Sequence, residues 1–447
     1  MGNIVKIIGA GLAGCEAAYQ LAKRGIKVDL YEMKPNNFSP AHSSKNLAEI
    51  VCSNSFKSNL KTNACGLLKE ELRMLDSFLI RIADKTKVPA GQALAVDREK
   101  FSERVTEEIE KIENINLIRE EVSDINLDEY TIIATGPLTS DNLYNNILSI
   151  INDNDLHFYD AAAPIIEKGS IDMNIAFMGD RYGKGDSSYI NLPMNKDEYE
   201  HFYNELVNAD IVELHNFEKK EIFEGCMPIE VMAKRGVDTL RYGPLKPVGF
   251  TDPRTGERPY AIVQLRQDNA VGSLFNMVGF QTNLKFGEQK RVFSLIPGLE
   301  NAEFIKYGVM HRNTFINSTK FLDETFCMKE HDKIYFAGQI TGVEGYVESI
   351  MSGLVAGMNL ANKLNGKDKI TFSDHNMIGA LCKYISTPNE KFQPMNANFG
   401  ILPPMDIRIK DKMERYERLS NMSIEILEER LKNMSSIWFC IALVTQK

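Results

Sequence analysis

The first thirty-odd residues carry the clearest hydrophobic pattern in the chain. An apolar run broken only by Lys6, Ile4-Val5-Lys6-Ile7-Ile8, reads as a strand. Gly9-Ala10-Gly11-Leu12-Ala13-Gly14 follows. From Cys15 to Arg24 the apolar positions Ala17, Ala18, Leu21 and Ala22 recur at helical spacing, and Gly25 stops the helix. Ile26 to Tyr31 is a second strand that closes on Glu32, which completes a βαβ unit of the usual ~30 residues. Helical periods are expected over 65–85 and 97–113, and a buried strand over Tyr130 to Thr135, ended by Gly136-Pro137. Between about 180 and 320, Gly, Pro and Asn punctuate short apolar segments and the βα alternation fades. It returns at Ile334-Tyr335-Phe336-Ala337, followed by Gly338 and a long helical period through Ile350, Leu354, Met358 and Leu364. Residues 408–434 are charged and helical in period, suited to packing on the surface. The run Ile437 to Val444 is unusually apolar for a terminus and either docks on the core or lies outside the native fold. The two ends of the chain thus build one α/β unit, and the middle is an insert.

Composition narrows the class. A chain of 447 residues fits two to three domains, and 43% hydrophobic with 25% charged residues is the balance of a globular protein. The net charge of −9 excludes nucleic-acid binding through overall basicity, although not through a local basic face. Seven cysteines, at 15, 52, 65, 226, 327, 382 and 440, are odd in number and without CxxC pairing. Reduced thiols in a cytoplasmic protein are the expectation, with no metal site. No leader pattern precedes the first strand, and the longest apolar run falls far short of the ~20 residues that span a bilayer, so no membrane association is expected.

Gly9, Gly11 and Gly14 stand where a dinucleotide requires them. Gly9 serves the tight turn, Gly11 the approach of a pyrophosphate, and Gly14 the packing of helix on sheet. The helix N-terminus offers amides and a positive dipole end to phosphate. Glu32, at the end of the second strand, is placed to accept from a ribose. Glu32 suits NAD or FAD equally. The stretch Tyr335 to Tyr346, with Gly338, Gln339, Gly342 and Gly345, decides for FAD, because the flavin end of that long cofactor needs separate residues far along the chain. Ile132-Ile133-Ala134-Thr135-Gly136 has the character of a strand found in two-dinucleotide flavoproteins. The expected architecture is α/β: a Rossmann-like FAD-binding domain of glutathione-reductase type, interrupted by an inserted α+β domain. Its parts are 1–165, an insert at 166–325 facing substrate, and 326–447 with the C-terminal helices.

Further segments carry a family resemblance: Tyr31-Glu32-Met33, Val51-Cys52-Ser53-Asn54-Ser55-Phe56, Pro89-Ala90-Gly91, and Ala134 to Ser140. Phe158 to Ala161, Glu224-Gly225-Cys226-Met227-Pro228-Ile229-Glu230, Gly243 to Gly249 and Tyr260 to Arg266 extend it. On these residues the chain resembles the folate- and FAD-dependent tRNA (uracil-5-)-methyltransferases, relatives of the flavin-dependent wobble-uridine modification proteins, over roughly 3–430. Two positions depart from that pattern: Leu192, where cysteine is frequent in the family, and the last ten residues.

The resemblance implies a defined chemistry. A thiolate adds to C6 of uracil and makes C5 nucleophilic. Methylenetetrahydrofolate supplies the carbon, reduced flavin supplies two electrons, and NADH or NADPH renews the flavin. Cys226 is the implied nucleophile. Cys52, followed by polar Ser53, Asn54 and Ser55, is the implied second thiol, which removes the C5 proton or guards the flavin. Read from the sequence alone, each cysteine is by default a small buried hydrophobe. Tyr346 is open to two readings, stacking on the flavin or ordinary packing at a helix start. His157 and His311 read as structural.

The insert has the charge an RNA substrate wants. Residues 234–320 hold 13 Lys+Arg against 7 Asp+Glu, net +6, which leaves 39 against 54, net −15, for the rest. Arg235, Arg241, Lys246, Arg254, Arg258, Arg266, Lys285, Lys290 and Arg291 are candidate phosphate contacts, with a plain solvated face as the alternative. The competing functions are the same chemistry on ribosomal RNA, a flavin oxidoreductase of a small metabolite, and a non-catalytic RNA-binding flavoprotein.

Overall fold

The computed structural model describes residues 4–39, 41–151, 156–183, 188–212, 227–308, 310–389, 392–405 and 409–444. Strand β1 (Ile4–Ile8), helix α1 (Leu12–Ala22) and strand β2 (Lys27–Tyr31) form the expected opening unit. They belong to a five-stranded parallel sheet ordered Ile334–Phe336, Thr131–Ile133, β1, β2, Ile115–Ile118. Ile7 sits in register between Leu30 and Ile132, all three fully buried. A parallel sheet is covered on both faces, so its strands read as continuous apolar runs, as these do. The chain's two ends meet here: α1 packs along the late helix Tyr346–Leu364.

The insert is built on an antiparallel sheet. Its strands run Phe177–Met178, Tyr189–Met194, Ala261–Gln267, Leu274–Met277, Ile165–Glu167 and Phe304–Lys306. Tyr199, Phe202 and Leu206 of the helix Lys196–Asn208, with Val292 and Phe293 of the helix Phe286–Phe293, bury against it in a separate core. Asn195 and Glu198 cap the first of these helices reciprocally: Glu198 N donates to Asn195 Oδ1, and Asn195 N to Glu198 Oε2. The two chain crossings between the cores pair with each other as an antiparallel ribbon, Leu156–Ala161 against Met310–Phe315. Leu192 lies fully buried in the insert's core.

Several sequence expectations need correction. The helix α1 begins at Leu12, not Cys15, so Gly14 lies in its first turn. The single helix expected over 65–85 is two, Ala64–Met74 and Phe78–Lys85. Asp76 between them takes a positive φ of 56°, and Ser77 caps the second by accepting from Ile80 N. Ile316 and Leu322, placed in the insert by sequence, pack in the first core, because the chain has already recrossed through the ribbon. The charged C-terminal helix, Lys412–Val444, does pack on the surface as expected, through one face that buries Leu419, Ser420, Ser423 and Leu427. Among the described residues no helix is long and apolar enough to cross a membrane.

Candidate active site

A cleft opens at the carboxyl ends of β1, β2 and Thr131–Ile133. Gly9, Ala10, Gly11, Glu32, Thr135 and Thr139 are among its lining residues. The three glycines of the first turn do different things. A Cβ on Gly14 would sit 1.8 Å from the Gly9 carbonyl oxygen, so the helix cannot start here with any side chain at that position. A Cβ on Gly11 would meet no protein atom within 4 Å; what it would occupy is the space in front of the helix N-terminus. Gly136, next in the chain to the lining residue Thr135, likewise faces open space. The residues present therefore fit the phosphate end of a dinucleotide. Glu32 is buried behind them, its Oε2 accepting from Ala10 N at 3.1 Å and its Oε1 from Lys34 N at 3.0 Å. These two bonds fix the carboxylate at the cleft floor. The buried Lys34–Glu49 ion pair (3.2 Å) supports the wall beside it.

The second element lies where sequence placed it. Gly338, Gln339, Gly342 and Gly345 lead from the strand Ile334–Phe336 into the helix Tyr346–Leu364. Gly338 N donates to Ser352 Oγ (2.6 Å), and the Gln339 side chain is held by Glu344. Leu12 and Ala13 belong to the first turn of α1.

Cys52 is half-buried in a loop that both cores hold. From the first core, the Tyr346 hydroxyl oxygen accepts from Cys52 N (3.0 Å) and Ser53 N (3.2 Å), while its ring tilts against Phe56. Burial pushes the Tyr346 phenol far above its ordinary range, so it stays protonated. The structure thus puts Tyr346 to use in packing and in fixing the thiol loop. From the insert, Arg266 donates from Nε to Asn54 Oδ1 (3.0 Å) and from a terminal nitrogen to Ser53 Oγ. Asn54 Nδ2 returns a bond to Gln267 O (2.9 Å). Arg98 donates to the Ile50 carbonyl and to both oxygens of Asp268, at 3.3 and 3.0 Å. Burial lowers Arg98, but the adjoining Asp268 carboxylate outweighs it and holds the guanidinium above its ordinary value. Burial, then Arg98, pulls Lys306 below its own. Both cations lie within electrostatic reach of Cys52. Cys226 lies outside the described residues. The chain resumes beside it at Met227, which is buried, and Ile229 N donates to Gln281 O (2.7 Å).

The basic candidates divide. Arg241 is bound to Asp238 and lies 3.5 Å over the Tyr260 ring; Arg254 pairs with Asp252, Lys285 with Asp210, and Arg291 with Glu205 and Glu288. Arg235, Lys246, Arg258 and Lys290 are exposed. Arg266 is not on a phosphate-facing surface at all; it is buried beneath the Cys52 loop. Sequence reasoning missed Arg98, Asp268 and the role of Asn54. Their signal is weak: two charged residues far apart in the chain show no spacing that announces a pair.

The sequence matches the family described as Glucose inhibited division protein A over residues 4–368. It is 59% identical over 434 residues to the methylenetetrahydrofolate–tRNA-(uracil-5-)-methyltransferase TrmFO of Acetivibrio thermocellus, covering 97% of this chain and all of that one. The TrmFO of Fusobacterium nucleatum is 58% identical over 430 residues, 96% of this chain and 99% of that one. The chain belongs to the TrmFO proteins of the GidA family. Among solved structures, GidA of Aquifex aeolicus in its form II crystal shares the fold, with a TM-score of 0.66 at 17% identity over 98% of this chain and 77% of that one. Its form I crystal gives 0.65 at 17% identity, over 98% and 80%.

Proposed function

We propose that the chain methylates C5 of a tRNA uridine, the T-loop uridine being the expected target, using methylenetetrahydrofolate as carbon donor, FAD as resident cofactor and NADH or NADPH as reductant. The near-full-length identity with TrmFO proteins carries this reading. In it, 1–165 and the chain from Ile316 onward form an FAD-binding domain of glutathione-reductase type, and the insert between them faces the RNA. Gly9 to Gly14, Glu32 and Gly136 hold the nucleotide end of FAD, and Gly338, Gln339, Gly342 and Gly345 its flavin end. Bound and reduced, FAD supplies the two electrons that bring a formaldehyde-level carbon to a methyl group.

The chain's own residues do the rest. Cys226 adds to C6 of the uracil, which makes C5 nucleophilic; general acid–base help cannot substitute for that bond. Cys52 then receives the C5 proton at Sγ, and the C6–sulfur bond breaks to restore the ring double bond and return Cys226 as its thiolate. The hydrogen bonds from its own and the next amide to Tyr346 fix the loop. The Arg266 guanidinium beneath the loop holds Ser53 and Asn54, so the sulfur keeps one position while the RNA comes and goes.

The test is methyl transfer to an unmodified tRNA transcript by purified protein with FAD. Label from methylenetetrahydrofolate should reach C5 in the presence of NADPH, and label from S-adenosylmethionine should not. Transfer from S-adenosylmethionine with none from folate would overturn the reading.

A further inference from the structure

Beyond the thiol loop, the sheet of the insert points to a second surface. Residues two apart on a strand share a face and lie about 7 Å apart. On the strand Ala261–Gln267, Arg266 reaches the Cys52 loop, and Gln264, two residues before it, receives Arg181 at 3.4 Å. Arg181 also donates to the Lys246 carbonyl (3.1 Å) and to the Val248 carbonyl, tying its own loop to the loop at 243–250. Next in the chain, Tyr182 takes a positive φ of 63°, which a tyrosine adopts only under constraint. Its amide donates to Gly249 O (2.8 Å), and a Cβ on Gly249 would lie 2.9 Å from the Tyr182 ring. The absent side chain at Gly249 is what lets the ring lie there. The outcome is a tyrosine backed by protein and still 62% exposed, one strand step beyond the catalytic loop. Tyr242, at the edge of the neighbouring loop, is 82% exposed. Lys246, in the loop that Arg181 ties down, is exposed and without an ion pair among the described residues, while Asp238, at the start of the helix Thr239–Tyr242, is paired with Arg241.

Given the RNA reading above, on which this inference rests, we propose that Tyr182, Tyr242 and Lys246 receive the unpaired nucleotides flanking the target uridine. The two rings stack on bases and the lysine meets a phosphate. The chemistry suits a single strand. Aromatic stacking accepts any base, and a uridine at the reaction centre must leave its own stack, which frees its neighbours as well. The insert's net +6 within a chain of −9 supplies the complementary charge.

The experiment is a binding titration of the full-length, FAD-loaded protein with a fluorescent tRNA transcript, the flavin spectrum serving as the check on folding. Tyr182→Ala and Tyr242→Ala should each raise Kd about tenfold. Tyr182→Phe should bind as wild type, since the ring is what stacks. Lys246→Ala should weaken binding and flatten the slope of log Kd against log salt by about 0.7 to 0.9. A fully paired RNA duplex should show no loss with either tyrosine variant. A Tyr182→Ala, Tyr242→Ala double variant that binds the transcript like wild type, or equal losses on the duplex, would overturn the surface while the methylation reading stands. Failure of the wild type to bind or methylate any transcript would instead remove the reading on which the surface rests.

Discussion

At the scale of single residues, two glycines three apart have opposite consequences. Gly14 is required by the protein, because any side chain there strikes the Gly9 carbonyl. Gly11 is not; its missing side chain leaves room only outside the protein. Gly11→Val should therefore lose flavin absorbance and melt like FAD-free wild type, whereas Gly14→Val should lose flavin and melt well below it. A Gly11→Val protein that stays yellow would mean the pyrophosphate does not lie against this turn. Arg266 supports a second prediction. Arg266→Gln removes the bonds to Ser53 and Asn54 without touching Cys52 itself. Methylation kcat should fall about tenfold or more with FAD retained, and the pH profile for alkylation of Cys52 by iodoacetamide should shift. A variant that merely melts earlier, with kcat and the alkylation profile intact, would make Arg266 structural only. Both glycines were legible from their spacing. Arg266 was read as a phosphate contact, because nothing in a strand's sequence says which end of a long cation is buried.

At the scale of elements, buried carboxyl groups cap helices from a distance. Glu16 accepts from Phe78 N and Leu79 N at the start of Phe78–Lys85. Glu71 does the same for Met377–Ser386, accepting from Met377 N and Ile378 N at 2.8 Å, and it also takes a bond from Ser423 of the C-terminal helix. Amide donors and the helix dipole favour the anion, yet burial wins and pushes the Glu71 carboxyl from 4.5 up to about 7. The sign follows from proton uptake. Above pH 4.5 the unfolded chain has released this proton, while the folded one keeps it until about 7. Glu71 thus lowers stability progressively as pH rises across that window. Glu71→Gln loses an acceptor but has no such titration. Urea denaturation at pH 5 and pH 8 should show the variant gaining on wild type at the higher pH, and an offset independent of pH would contradict it. Such caps escape a sequence reading because they join residues 62 to 307 positions apart. What sequence does show is the local period, so β1, α1 and β2 were legible and the antiparallel sheet was not: Tyr189–Met194 is buried along nearly its whole length and shows no alternation.

At the scale of the molecule, two cores are joined by one ribbon and by the polar seam under Cys52. Arg98 lies on the first core's side of that seam and Asp268 on the insert's, and both are nearly buried. A buried pair of this kind adds little net stability against an apolar pair of similar size, but breaking it leaves a charge uncompensated. Asp268→Ala should therefore destabilise by about 3 kcal/mol, since Arg98 is then buried without its partner. The double change Arg98→Met with Asp268→Leu should recover most of that stability. It should not recover methylation, because Arg98 also donates to the Ile50 carbonyl, two residues before the thiol, and methionine has no donor to give. Denaturation and turnover measured on wild type, Asp268→Ala and the double variant separate the two roles. If the double variant regains both stability and methylation, the seam is only glue between the cores. If it regains stability alone, the seam sets the position of the Cys52 loop, and the insert acts on the chemistry through Asp268, which holds Arg98, and through Arg266, as well as through the RNA it faces.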